Sequence, residues 1–186
     1  MRLCFAALAL GLFAPAAVAA PLFGEKGESF PKGTTALEFN GAYIYPIRFS
    51  VDHFYGANVA GHYYFGDEVS LGLELQGYYV DQEEHDTVLG GGSLVLRWHF
   101  LAAEHYTLFF DGGLGGSYSG FDVPEDGTHF NYTARGGGGV TYKLRDDLHL
   151  LGGVRFWHLS NGNLHGRDEN PSQDGVQYYA GVLFTF

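Results

Sequence analysis

The sequence predicts an all-β fold, an eight-stranded antiparallel transmembrane β-barrel of the outer membrane. Three observations lead to this prediction: runs of residues that alternate between apolar and polar side chains, a content of 13 Tyr, 16 Phe and 29 Gly, and connections that alternate in length. Alternation with a period of two places one set of side chains on each face of a strand. Soluble β-sandwiches alternate in the same way, so the placement of charged and aromatic residues decides in favour of the barrel.

The N-terminal segment predicts a secretory signal peptide that is cut after Ala19. Arg2 is followed by an apolar run over 3–13 and then by small residues, which is the order of segments in such peptides. The apolar run is too short for a transmembrane helix. We therefore expect residues 1–19 to be removed and residues 20–186 to form a single β-barrel domain.

The composition argues against several classes of protein. The only cysteine, Cys4, lies inside the predicted signal peptide, so the mature chain has no disulfide framework. The formal charge is −11, with 10 Lys and Arg against 21 Asp and Glu. Since no basic stripe is visible, nucleic acid is not expected as a partner. No later segment is apolar for long enough to predict a membrane-spanning helix.

Eight alternating runs follow one another along the chain. They lie around 34–45, 53–65, 69–80, 94–100, 106–118, 130–143, 148–156 and 176–186. Within a run the apolar residues share one parity, as Leu71, Leu73 and Leu75 do in the third. Charged residues of both signs take the opposite parity: Glu38, Glu74, Asp111, Arg97, Arg135 and Arg155. This division fits a small barrel whose interior is packed with polar contacts.

The connections between the runs also fit a membrane barrel. Three of them are short: 66–68, 101–105 and 144–147. Four are longer or more polar: 46–52, 81–87, 119–128 and 159–174. Short turns belong on the periplasmic side of such barrels and longer loops outside. The chain ends on Phe186, which is similar to the C-terminal aromatic signal of outer-membrane barrels.

A histidine and a serine stand two residues apart at the end of the seventh run. His158 and Ser160 share the parity of Val154 and Phe156, so both are expected to face lipid at the outer end of the strand. The cost of polar groups on the lipid face falls towards the interface. The pair offers a base beside a nucleophile for a lipid of the outer leaflet, with lipid A as the candidate. Alternatively, both residues are interfacial polar side chains without chemistry.

The other histidines predict no metal site, and no cofactor is expected. They are scattered singly, among them His53, His62, His85, His99, His105, His129 and His149. Metal ligands would be expected at closer, regular spacings. Gly136–Gly139 lies within a strand with no helix behind it, so it is not a phosphate-binding loop. These glycines let the strand bend or let neighbouring side chains cover it.

The segment His158-Leu159-Ser160-Asn161-Gly162, followed by a polar loop and by Asp174-Gly175-Val176, resembles the motif of the PagL family. These proteins are outer-membrane lipid A 3-O-deacylases. The resemblance implies that Ser160 is the nucleophile, that His158 is the general base, and that a carboxylate orients the imidazole. Asn161 matches the asparagine of the motif, and we assign it a positioning role.

The acid is where this sequence departs from the family pattern. Aligning on the Gly175-Val176 step places Gln177 where a glutamate is expected. An amide does not stabilise an imidazolium as a carboxylate does. We expect Asp174 to be the acid, because it shares parity with the lipid-facing Tyr178 and Gln177 does not.

The loop before the last strand holds the remaining candidates. Asp168 and Glu169 are alternative acids. Asn170 matches the loop asparagine to which the resemblance assigns the oxyanion.

The first functional hypothesis is a hydrolase of the bacterial outer membrane that removes an ester-linked acyl chain from lipopolysaccharide. One alternative is a non-catalytic barrel with a structural or surface-binding role, whose function would reside in long outer loops. Another is a lipid A acyltransferase, which only an assay with an acyl acceptor separates from a hydrolase. The expected partners are lipid A and the membrane itself; a homodimer is compatible with the sequence, which identifies no interface for it.

Overall fold

The computed structural model describes residues 29–48, 52–164 and 171–186 and confirms the closed barrel of eight antiparallel strands. The strands are β1 (Thr35–Arg48), β2 (His53–Gly66), β3 (Val69–Asp81), β4 (Thr87–Ala102), β5 (Tyr106–Val123), β6 (Thr128–Arg145), β7 (Leu148–Ser160) and β8 (Gln173–Thr185). The segment assigned to a signal peptide, residues 1–19, lies outside the described residues. In the described part of the chain, no helix has the length and apolar character needed to cross a membrane.

Pairing between β1 and β8 closes the barrel. Its register runs from Ala36 opposite Thr185 to Pro46 opposite Gly175 before the pairing becomes irregular. Closure matters because hydrocarbon offers no hydrogen bonds to an open sheet edge. Gly181 lies on this seam, and a Cβ added there would stand 1.9 Å from the carbonyl oxygen of Phe39. The close approach of the two strands therefore requires glycine at this position.

The predicted parity is confirmed along the strands. On β3, Leu71, Leu73 and Leu75 are exposed on the outer wall, whereas Ser70 and Glu74 are buried inside. This arrangement gives the barrel an apolar outer surface and a polar interior, as a membrane barrel requires.

Ion pairs fill the middle of the barrel. The Arg97 guanidinium contacts Glu38 at 2.7 Å and Asp111 at 3.0 Å. Arg155 contacts the same Asp111 at 2.6 Å. Arg135 lies 2.6 Å from Glu74, and Glu74 also approaches Arg155 at 3.6 Å. Three guanidinium groups thus meet three carboxylates, so the formal charges of this network cancel and each of its ions is paired, which keeps the cost of burying them low.

Two apolar clusters cover this network from above and below. The cluster at the outer end consists of Ile44, Phe54, Tyr78, Val80, Leu89, Val123, Trp157 and Leu159. The cluster at the other end consists of Phe30, Ala36, Tyr64, Phe109, Leu151, Tyr179 and Leu183. Trp157 and Leu159 are completely buried and alternate with His158 on β7. Their packing fixes the strand end on which the candidate site stands.

The prediction of a long connection over 119–128 is wrong. β5 continues to Val123 and β6 begins at Thr128, so a shorter turn joins two strands that are longer than the others. Ser119 Oγ donates to the carbonyl oxygen of His129 at 3.1 Å, which extends the pairing of the hairpin. Outward residues here, such as Asp122, are polar because the hairpin extends past the apolar wall. The apolar alternation that marks the other strands is therefore missing from this part of the sequence.

Replacing Arg97 by Met should lower the free energy of unfolding by about 3–5 kcal/mol, because Glu38 would stay buried without its guanidinium partner. Urea unfolding of the protein in detergent micelles, followed by tryptophan fluorescence, measures this change. Arg145→Met is the matched control, because Arg145 pairs with Asp147 on the exposed turn before β7. This variant should lower the free energy of unfolding by less than about 1 kcal/mol. Equal losses in the two variants would contradict a stabilising role of the network.

Candidate active site

His158 and Ser160 lie on the outer wall of the barrel, at the outer end of β7. The neighbours of the same parity, Val154 and Phe156, are exposed, while Trp157 and Leu159 point inward and are buried. Strand alternation alone therefore brings the imidazole and the hydroxyl onto one face. Both side chains are partly exposed on that face.

Asp174, His158 and Ser160 form one hydrogen-bonded chain. Asp174 Oδ1 lies 2.6 Å from His158 Nδ1, and His158 Nε2 lies 3.1 Å from Ser160 Oγ. A carboxylate only accepts hydrogen bonds, so Nδ1–H donates to Asp174 and Nε2 is left to accept from the serine hydroxyl. This tautomer is the one that can take a proton from Ser160.

The register between β7 and β8 explains why an aspartate reaches the imidazole. His158 and Asp174 are directly opposite each other on the two strands. Cβ atoms of such pairs are about 4.5–5.5 Å apart, so a short acid closes the gap. The carboxylate is the more protected of the two groups, because the Asp174 side chain is 14% exposed and the His158 side chain 35%. The open side of the imidazole thus faces the membrane, while its partner stays shielded.

A tight turn begins directly after Ser160. Asn161 is buried, and its Oδ1 accepts the backbone N–H of Asn163 at 3.0 Å. Gly162 and Asn163 have φ angles of 67° and 64°, the left-handed region that favours Gly and Asn. The Asn161 side chain therefore holds the turn that ends β7, rather than lying beside the serine on the outer face.

Gln177 does not contribute to this face, although counting along the chain puts it at the acid's position. It is buried in the barrel, where its Nε2 donates to Tyr78 Oη at 2.7 Å and its Oε1 accepts from Arg155 at 3.4 Å. It is thus part of the interior polar network. The loop alternatives Asp168 and Glu169, and the oxyanion candidate Asn170, lie outside the described residues.

A second histidine–aspartate pair, exposed on the β5–β6 hairpin, was not expected from the sequence. His129 Nε2 lies 3.6 Å from Asp122 Oδ1 on the β5–β6 hairpin. The other ring nitrogen of His129, Nδ1, donates to the backbone carbonyl oxygen of Ser119 at 2.9 Å. In the candidate site, by contrast, the second ring nitrogen of His158 contacts the hydroxyl of Ser160. Nothing in the spacing of these residues along the chain indicates the contact, because it depends on the extended hairpin. Across the part of the chain that the structure describes, no group of three or more His, Cys, Asp or Glu is placed to hold a metal ion.

A furrow of small residues runs from the site down the outer wall of β6. Ala134 stands opposite His158, and Gly136 and Gly138 follow it on the same parity. Gly112 of β5 pairs with Gly136, which widens the furrow. Phe156 of β7, the partner of Gly136 on the other side, forms one wall. From Ala134 to Gly138 the strand rise gives a length of roughly 13 Å.

The glycine run of β6 has a different role on each face. A Cβ added at Gly139 would stand 2.5 Å from the Phe109 ring, and one at Gly137 would stand 2.6 Å from Arg155 Cα. These two inward glycines let neighbouring groups approach closely, as the sequence indicated. A Cβ at Gly136 meets only the carbonyl oxygen of Asp111, at 3.8 Å. The outward face is therefore open at Gly136, whereas a Cβ at Gly138 would stand 3.3 Å from the Phe110 ring, which closes the lower end of the furrow. The alternation of the sequence does not indicate this furrow.

The site lies at the level of an aromatic girdle. Ser160 is the last residue of β7. Exposed tyrosines stand near the same ends of the other strands: Tyr45, Tyr55, Tyr79, Tyr118 and Tyr132. Such residues mark the boundary between hydrocarbon and water in membrane barrels. The histidine and the serine are therefore placed where acyl chains meet their headgroups.

Fold and site together define an outer-membrane β-barrel with a Ser–His–Asp chain on its lipid-facing wall. Residues 45–182 match the family described as "Lipid A 3-O-deacylase (PagL)". The chain belongs to this family, and it is a protein of the bacterial outer membrane. No match was found among curated protein sequences.

Solved structures show the same fold. The crystal structure of the outer membrane enzyme PagL is 14% identical with a TM-score of 0.63, over 77% of this chain and 97% of that chain. Neisserial surface protein A (NspA) is 13% identical with a TM-score of 0.62, over 82% of this chain and 96% of that chain. OprG from Pseudomonas aeruginosa is 13% identical with a TM-score of 0.59, over 87% and 99%. At these identities the likeness concerns the fold alone.

Proposed function

We propose that this barrel hydrolyses an ester-linked acyl chain of lipid A in the outer leaflet, with Ser160 as the nucleophile. The observation that carries the proposal is the hydrogen-bonded chain from Asp174 through His158 to Ser160 on the lipid-facing wall. Family membership supplies the substrate class, since the family is described as lipid A 3-O-deacylases. The hydrogen bonds of this chain support the following mechanism.

The first half of the reaction transfers the acyl group to the protein. Ser160 Oγ forms a bond to the ester carbonyl carbon while His158 Nε2 takes the serine proton. The tetrahedral intermediate then breaks its bond to the sugar oxygen, and His158 returns the proton to that oxygen. The deacylated sugar leaves, and the acyl chain stays on Ser160 as an ester. Asp174 stabilises the imidazolium that exists between these two proton transfers.

The second half releases the acyl chain. His158 takes a proton from a water molecule, whose oxygen attacks the acyl carbonyl carbon, and the bond to Ser160 Oγ breaks as the serine regains its proton. The products are a free fatty acid and the original protein. Water is available because the site lies at the girdle rather than at mid-membrane. This supports hydrolysis over transfer of the acyl group to a second lipid.

The furrow on β6 gives the scissile acyl chain a place to lie. It begins beside His158 at Ala134, passes Gly136 in the direction of the periplasmic end, and is closed at Gly138 by the Phe110 ring. An ester carbonyl at Ser160 would therefore have its chain running down the barrel wall, parallel to the lipid chains around it. Contact with a concave apolar wall replaces contact with lipid, and it holds the ester in one orientation for attack.

Ser160→Ala and His158→Ala should each abolish release of the acyl chain, because each removes a group that changes bonds. Asp174→Asn should lower the rate about 10³- to 10⁴-fold, because the amide no longer stabilises the imidazolium. Purified protein in detergent is incubated with lipid A, and mass spectrometry follows both shortened lipid A and free fatty acid.

Asp122→Asn is the matched control, because Asp122 also pairs with an exposed histidine, His129. Its rate should stay within about twofold of the wild type, as expected for an exposed pair. Full activity in Ser160→Ala would remove the assigned nucleophile. Appearance of the acyl chain on added phospholipid instead of as free fatty acid would identify a transferase.

Gly136→Leu should reduce deacylation of lipid A at least tenfold, because the leucine side chain would occupy the furrow that the acyl chain needs. The change is compatible with folding, since a Cβ at Gly136 has open space. Initial rates of lipid A deacylation measure the effect. Gly61→Leu is the control, because Gly61 also has open space for a Cβ and lies on β2. Equal rates in the two variants would place the acyl chain elsewhere.

A further inference from the structure

Tyr132 of β6 stands directly opposite Ser160 of β7. Cβ atoms of such cross-strand pairs are about 4.5–5.5 Å apart. The tyrosine points outward, and the residue is 48% exposed. Among the described residues, Tyr132 is the only aromatic residue of the girdle that is paired with Ser160. It is therefore next to the reacting ester, on the side away from Asp174.

Contacts on two sides hold the Tyr132 ring. A Cβ added at Gly162 would lie 3.2 Å and 3.3 Å from two carbon atoms of the ring, so the ring rests close against this turn. Phe130 meets it edge to face, with centroids 5.2 Å apart and planes at 82°. Two features thus favour glycine at position 162: the φ angle of 67° and the Tyr132 ring beside it. The ring is oriented before any ligand arrives, and about half of the side chain is open.

Tyr132 also lies at the head of the acyl furrow. It is the outward residue that precedes Ala134 on β6, on the side towards the membrane surface. An acyl chain that runs down the furrow from Ser160 leaves the alcohol half of its ester on the opposite, upper side. In lipid A that half is a sugar ring. The open surface of Tyr132 is therefore where this sugar would lie.

We propose that Tyr132 is a binding residue for the sugar that carries the scissile ester. The C–H groups of the pyranose would pack on the aromatic ring, and the phenol hydroxyl would hydrogen-bond to the sugar's polar groups. Tyrosine can make both contacts because it has an apolar ring and a polar hydroxyl. This inference rests on the proposed function, and it adds recognition of the leaving group to recognition of the acyl chain. It makes the protein selective for glycolipid esters over other esters of the same chain.

The competing view is that Tyr132 is one more girdle residue that anchors the barrel at the interface. Tyr118 provides the comparison, because it belongs to the same girdle and is 63% exposed. It pairs with Phe130 and not with a residue of β7. A general anchoring role predicts similar effects at both tyrosines, whereas sugar binding predicts an effect at Tyr132 alone.

Binding measured in an inactive background tests the proposal. Full-length Ser160→Ala protein in detergent micelles is titrated with fluorescently labelled lipid A, with and without Tyr132→Ala. We expect roughly five- to tenfold weaker binding when Tyr132 is replaced, the range that contacts of one aromatic ring provide. Tyr118→Ala in the same background should change the affinity less than about twofold. The methyl ester of a hydroxylated fatty acid, which has no sugar, should bind equally well to all three proteins.

Three results would overturn the proposal. Unchanged affinity for lipid A in the Tyr132→Ala protein excludes the sugar contact. Equal weakening for lipid A and for the methyl ester means that Tyr132 shapes the furrow instead. Tyr132→Phe keeps the ring and should retain most of the affinity, because packing of the pyranose on the ring is the main contact in this proposal. A loss as large as that of Tyr132→Ala would therefore overturn it. Since binding is measured without turnover, failure here is distinct from failure of the deacylase function, which shows as absence of acyl release by the wild-type protein.

Discussion

Each side chain of a strand in this barrel must face either hydrocarbon or a narrow closed interior, because strands alternate and the closed sheet has no edge. Ions can stay in that interior only when they are paired, and the contacts of Arg97 and Arg155 with Asp111 meet this condition. Polar groups on the outer wall are tolerated near the interface, where water is within reach. The position of Ser160 at the last residue of β7 satisfies this second condition. The interior network and the outer site are thus two consequences of the same alternation.

The register between neighbouring strands then decides which outer side chains meet. His158 faces Asp174 across the β7–β8 pairing, and Ser160 faces Tyr132 across the β6–β7 pairing. One-residue slips would turn these side chains to the other face and exchange them for interior residues. The buried Trp157 and Leu159 oppose such a slip, because they would have to enter the lipid while His158 entered an apolar cluster. The short aspartate reaches His158 only in this register, so the geometry of the site depends on the packing of Trp157 and Leu159 inside the barrel.

Much of this fold was predictable from the sequence, since period-two alternation determines strands, faces and closure. The parity rule also selected Asp174 over Gln177 as the acid, and the structure places Asp174 within hydrogen-bond distance of His158 and Gln177 inside the barrel. The long β5–β6 hairpin was missed because residues beyond the membrane need not alternate in hydrophobicity. The furrow was missed because it depends on which glycines of adjacent strands pair, as Gly112 and Gly136 do. That register is a property of the closed sheet and cannot be read from one strand.

The placement of the site also fits the proposed reaction, in which water must meet a lipid that is held in the membrane. A serine at mid-membrane would reach acyl chains but not water, and one on a loop above the barrel would reach water but not an ester held in the leaflet. Next to Ser160, the last residue of β7, the His158 side chain is 35% exposed and the Asp174 side chain 14% exposed. In the proposed reaction, the ion pair between them would therefore be shielded on one side only. The furrow that starts at Ala134 leads downward from the same point, and the turn at Gly162 rises from it. In the proposed function, an ester bound there would have its chain along the apolar furrow and its alcohol at the water surface, which is the orientation that lipid A already has in its own leaflet.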